Sequence, residues 1–156
     1  MSEDPPFQLR LINLRPLGLQ TKLLNISSKD QKYCYDSFWQ SCDLVMTNWA
    51  GATVEPYDRR TIMMPSSPIG QGAFDGLGPG ETTILQSGQF EKLEKREYQL
   101  RWGHTIFQDL APGAYCIIAK MECQRDSWAD KDRKWHTEEG LWKGSLCSDQ
   151  IKINLP

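Results

Sequence analysis

The sequence predicts an all-β fold: an immunoglobulin-like antiparallel β-sandwich of roughly seven to nine strands, in one domain spanning residues 1–156. Three observations carry this. Short segments alternate apolar and polar residues at period 2, and turn-forming residues separate them. The third is a defined corner between Leu100 and Lys120. Pro112-Gly113 reverses the chain, since Pro presets φ at the second turn position and Gly accepts positive φ at the third. Beyond the corner, Tyr115, Ile117, Ala119 and Met121 fall on one face and Cys116, Ile118 and Lys120 on the other. A strand apolar on both faces over its first half belongs in the middle of its sheet.

The first strand begins at Phe7-Gln8-Leu9-Arg10-Leu11, and Arg15-Pro16-Leu17-Gly18 breaks the run. Leu19 to Asn25 forms the second strand, with Leu19, Thr21 and Leu23 inward and a polar turn after it. Asn25-Ile26-Ser27 spells a glycan acceptor, although a turn Asn accounts for it equally well in chemistry and better in context. Tyr33 to Trp39 and Asp43 to Trp49 are the next strands, and Pro56 restricts Thr53 to Tyr57 to a sheet edge because it has no N–H to donate.

Arg59 to Gly80 is rich in Gly, Pro and Ser and reads as a long connection. Leu77-Gly78-Pro79-Gly80-Glu81 repeats the chemistry of the later corner, so the two corners are expected to share a form. Thr82 to Leu85 and Tyr98 to Trp102 follow as strands, with a solvated turn of helix between Glu91 and Glu97. From Asp126 or Ser127 to Gly140 the cap and stop residues predict a short helix near 127–140 carrying Trp128 and Trp135 on one face; a β-hairpin is the alternative. Ile151 to Leu155 closes the sandwich.

Composition limits the function. A net charge of −2 gives no basic face for nucleic acid, and no apolar run approaches the ~20 residues that span a bilayer. The acidic amino end lacks the pattern of an export signal, so the expected location is cytoplasmic. Five cysteines without short paired spacing do not form a disulfide framework, although Cys34 with Cys42 or Cys123 with Cys147 would pair in an oxidising compartment. With two histidines and no ligand spacing, neither a metal nor another cofactor is expected. Nor does a nucleophile with a partnered base emerge, so no catalytic residue is assigned. The six tryptophans stand out. Trp128, Trp135 and Trp142 lie among charges, where an aromatic contact surface is one reading and a plug for one end of the sandwich is the other.

Leu23-Leu24-Asn25, Leu77-Gly78-Pro79-Gly80-Glu81, Leu110-Ala111-Pro112-Gly113-Ala114-Tyr115 and Ser148-Asp149-Gln150-Ile151-Lys152-Ile153 together resemble the corners and strands of small immunoglobulin-like sandwiches, particularly the bacterial intracellular proteinase inhibitor type. The resemblance places Tyr115 as a tyrosine corner with its hydroxyl turned back on the preceding backbone. It implies a non-catalytic module that binds another protein through its loops, a peptidase being one candidate. It supplies no inhibitory residue, because no reactive motif matches. The expected binding residues are Trp128, Trp135 and Trp142, and a carbohydrate-binding module is the alternative use of the same side chains.

Overall fold

A computed structural model describes residues 4–35, 42–58 and 70–156. Among these residues the protein is an all-β sandwich of antiparallel sheets, with one short 3-10 turn at Gln71–Ala73. The strands are β1 (Phe7–Leu14), β2 (Gly18–Asn25), β3 (Gln31–Cys34), β4 (Cys42–Asn48), β5 (Tyr57–Asp58), β6 (Phe74–Leu77), β7 (Thr82–Lys92), β8 (Tyr98–Trp102), β9 (Thr105–Leu110), β10 (Gly113–Cys123), β11 (Ser127–Ala129), β12 (Trp135–Thr137), β13 (Gly144–Cys147) and β14 (Ile151–Leu155). The described residues thus hold more strands than expected, because several are only two to four residues long.

One sheet has the order β1-β2-β7-β8-β9-β5. In the other, β10 is central: β4 pairs along one edge, while β13 and β14 lie end to end along the other. Ser148 bridges the break between those two strands. Its N–H donates to Ala119 O and its hydroxyl accepts from the Ala119 N–H, both at 2.9 Å, so a side chain continues the ladder where the backbone bends. The alternation read from the sequence sets the packing. Leu19, Thr21 and Leu23 are fully buried, and they meet Tyr98, Leu100, Trp102, Phe107, Ile117 and Met121 in one contiguous core. The Trp102 indole N–H donates to Cys42 O at 3.2 Å, which satisfies its one polar atom and ties the two sheets together.

The corners behave differently from one another. In Gly78–Glu81 the Glu81 N–H donates to Gly78 O at 3.1 Å and Gly80 has φ +76, the closed turn that Pro-Gly favours. Gly113 instead has φ +146 and leads directly into β10, with the Trp49 ring lying where a side chain would be. Tyr115 makes the bond expected of it: its hydroxyl donates to Ala111 O at 2.7 Å.

Two helical expectations are corrected. Glu91 and Lys92 end β7, and Leu93 to Glu97 is a tight hairpin turn in which the Leu93 N–H donates to Glu97 O at 2.7 Å and Arg96 takes φ +63. The helix expected near 127–140 is a hairpin of β11 and β12, for reasons given below. The tail of the long connection is also structured, since β6 pairs with β3. Residues 36–41 and 59–69, which include Trp39 and Met63-Met64-Pro65, lie outside the described residues. Pro56 does follow an edge segment: Val54 donates to Met46 O at 2.8 Å, and the chain then leaves β4 for β9. Among the described residues, no helix is long and apolar enough to cross a membrane.

Candidate functional site

The β11–β12 hairpin forms an arm beyond the end of β10, closed by the turn Asp130 to Lys134. Asp130 makes this a hairpin. Its Oδ1 accepts from the N–H groups of Asp132 (2.8 Å) and Lys134 (3.0 Å), and its own N–H donates to Lys134 O at 2.9 Å. The carboxylate therefore captures the N–H groups that a helix would direct along its axis, and Arg133 takes the left-handed conformation at φ +61. The second oxygen, Oδ2, lies 2.8 Å from His136 Nε2. That bond, followed by the Lys134 N–H, holds the Asp130 carboxyl below the usual range.

Register then sorts the side chains. Trp128 pairs with His136 across the hairpin and stacks on it, with ring centroids 4.4 Å apart and planes inclined by 22°. Trp135 pairs with Ala129, so the two indoles of the arm take opposite faces. Ala129 is buried while Trp135 is 64% exposed. Trp142 is not on the arm. It is half-buried, and it meets Phe7 edge-to-face at 5.5 Å on the margin of the core. The structure thus places Trp128, Trp135 and Trp142 in three settings and brings no two of them together on one face of the arm.

Glu138 anchors the arm to the body. Its Oε2 receives Lys32 Nζ at 2.8 Å, and its Oε1 receives the Trp128 indole N–H at 3.1 Å and Gln71 Nε2 at 3.4 Å. The Lys32 hydrogen bond is the main reason the Glu138 carboxyl lies below its ordinary range. At the base, the Glu138 N–H donates to Asp126 O at 2.7 Å, and Lys143 pairs with Asp126, whose carboxyl it likewise lowers. The sequence shows His136 as one of two histidines and Glu138 as one charge among many, but nothing in it pairs them with Asp130, Lys32 or Gln71. The turn signature Asp130-Lys131-Asp132-Arg133-Lys134 was the one local clue to the hairpin.

Three other features have chemistry of their own. Asn25 is fully buried; its Nδ2 donates to Lys29 O and Leu77 O, both at 2.8 Å, which leaves no amide hydrogen free for a glycan in the folded chain. Cys42 and Cys123 are thiols pushed up to about 12, chiefly by burial, and so stay protonated at neutral pH. No disulfide joins any of the five cysteines, all of which lie among the described residues. Lastly, a cleft of about 290 Å³ lies along the outer edge of β4, between Leu44, Met46, Val54, Pro56 and Thr105. No group of three or more His, Cys, Asp or Glu side chains suited to a metal occurs among the described residues. Comparison with family models, with curated proteins and with solved structures finds no match to this chain.

Proposed function

We propose that the chain is a non-catalytic protein-binding module whose contact surface is the β11–β12 arm, with Trp135 as the anchor. The supporting observation is an exposed indole on a hairpin that is already ordered. Tryptophan contributes a large apolar area at low rotamer cost, and a preformed arm avoids much of the ordering cost of binding. The Asp130 turn, the Trp128–His136 stack and the Glu138 anchor each act on the arm from inside, leaving Trp135 outward. A carbohydrate platform has less support, because His136 covers one face of Trp128 and Trp142 is engaged with Phe7.

The resemblance to inhibitor-type sandwiches makes peptidases the first partners to assay. The full chain and its Trp135→Ala variant are titrated against a peptidase panel and used side by side in quantitative capture of cellular proteins. Saturable protein binding that weakens at least tenfold in the variant is the expected result. Binding that is indifferent to Trp135, or saturable binding only to glycans, overturns the reading.

A further inference from the structure

Charge is distributed unevenly on the arm. The chain carries a net −2, yet the five residues of the turn, Asp130, Lys131, Asp132, Arg133 and Lys134, hold three cations and two carboxylates. Three of the five acids of the arm are used inside it, and Asp132 and Glu139 are exposed. Asp126 is held by Lys143, Asp130 by His136 and two backbone N–H groups, and Glu138 by Lys32, Gln71 and Trp128. Among the described residues, Lys131, Arg133 and Lys134 enter no ion pair, and all three are exposed at the tip, one to four positions before Trp135, with the exposed Asp132 carboxylate between Lys131 and Arg133. A net-negative protein therefore presents a tip with one positive charge in excess, next in the chain to the most exposed indole among the described residues.

We infer that the arm recognises a short acidic peptide segment of a partner protein, an apolar side chain of that segment lying on Trp135 and its carboxylates facing Lys131, Arg133 and Lys134. This rests on the reading of the arm as a protein contact and names the chemistry of what it contacts. The size of the tip favours a peptide over a polyanion. Three cations match two or three carboxylates, whereas nucleic acid or a charged membrane surface would extend over the rest of a net-negative molecule. Complementary charge also fixes orientation and speeds encounter, and its reach is about 8–10 Å at ordinary ionic strength.

The test is selection from a random peptide display library on the immobilised full chain, followed by calorimetric titration of the enriched peptides. They are measured against the wild type, Trp135→Ala, and a triple variant with Lys131→Gln, Arg133→Asn and Lys134→Gln. Asn is chosen at position 133 because it tolerates the left-handed backbone there. Circular dichroism and Trp128 fluorescence establish that each variant keeps the arm. The expected peptides are rich in Asp and Glu around an apolar residue, bind at least tenfold more weakly to both variants, and weaken as salt rises. Enriched peptides that need Trp135 but carry no acidic bias, or that bind the triple variant unchanged, overturn the inference and leave the protein-contact reading standing. Failure to enrich any Trp135-dependent peptide overturns both. Tip-dependent binding to phosphatidylserine vesicles or an oligonucleotide, tighter than to any peptide, overturns the peptide assignment.

Discussion

Asn25 and Asp130 use the same device in opposite surroundings. Each side-chain oxygen accepts the N–H two residues onward, Ser27 at 2.9 Å and Asp132 at 2.8 Å, and so closes a turn. Asn25 does this in the core and Asp130 at the partly exposed surface. The difference lies in the other end of the side chain. Asn25 must also give two hydrogens, to Lys29 O and Leu77 O, and only an amide has them. Asp130 has no such carbonyl to satisfy and instead meets His136, where a charge is useful and water moderates its cost. Burial selects the neutral group, and exposure permits the ionic one.

Exchanging the two groups breaks the comparison most severely at Asn25. Asn25→Asp keeps the shape but turns two donors into acceptors that face Lys29 O and Leu77 O. The buried Leu77 carbonyl left unpaired costs about 1–3 kcal/mol, and more with a charged oxygen facing it, while the carbonyl of exposed Lys29 can turn to water, so a loss of about 3 kcal/mol is expected. That corresponds to a fall in melting temperature of about 6–12 °C for a domain of this size. Burial raises the folded pKa of the introduced carboxyl above its unfolded value of about 3.9. The deficit is therefore smallest in acid, where a proton restores one donor, and grows as pH rises toward the raised folded pKa. Urea unfolding at pH 5 and pH 8 measures both quantities. A near-wild-type midpoint at pH 8 refutes this account of the loop.

Tyr115 tests whether a single neutral bond at the other end of β10 behaves like one limb of the Asn25 knot. Tyr115→Phe removes the donor to Ala111 O and little else, so about 1 kcal/mol and 2–4 °C are expected. Its bond leaves less at stake than Asn25, because Ala111 is exposed and its freed carbonyl can turn to water. A loss as large as that of Asn25→Asp would mean the corner organises the sandwich rather than trims it.

The same contrast explains which features could be read from the sequence. Leu19, Thr21 and Leu23 at period 2, the two-sided apolar start of β10 and the missing N–H of Pro56 are local facts with local consequences, and each appears in the structure as expected. The arm stays open between helix and hairpin in the sequence because local signals there agree with both structures. Trp128 and Trp135 are seven apart, which is two turns of a helix, and Gly140 is a plausible stop. The decision belongs to Asp130, whose carboxylate captures N–H groups two and four residues ahead. Longer range is less legible still. Glu138 and Lys32 are 106 residues apart, and one sequence offers nothing to pair them. For the same reason β6 was hidden inside an apparent connection until it could be seen beside β3.

Acid separates the two regions without a mutation. The carboxyls of Asp126, Asp130 and Glu138 lie below their ordinary range because Lys143, His136 and Lys32 hold them. A lowered folded pKa contributes stability that is present above the unfolded carboxylate range and lost as pH falls through the folded value. The arm is therefore expected to loosen below about pH 4 while the Asn25 region, whose side-chain amide bonds involve no titrating group and whose one engaged carboxylate, Glu81, meets only the Gly78 N–H, keeps its structure. Hydrogen exchange compared at pH 3 and pH 6, after correction for intrinsic rates, follows the β11–β12 amides against those of Asn25 and Gly80. Equal loss of protection in both places contradicts the separation. A local opening of the arm that leaves the global transition in place is the predicted pattern.

The smallest effect is expected from the reciprocal exchange, Asp130→Asn. The amide oxygen still accepts from the N–H groups of Asp132 and Lys134, so the turn survives, and no buried group is stranded. Only the charge toward His136 is removed. The pair is partly exposed at the surface, where such pairs contribute little to global stability. The unfolding midpoint should therefore stay at the wild-type value, while the Trp128–His136 stack loses the partner that orients the imidazole ring. The change should appear in Trp128 fluorescence and in the acid opening of the arm, which shifts because one of its three lowered carboxyls is gone. A shift of the global midpoint comparable to that of Asn25→Asp would show that the arm is part of the cooperative unit, and that a rigid body rather than a separately held hairpin carries Trp135.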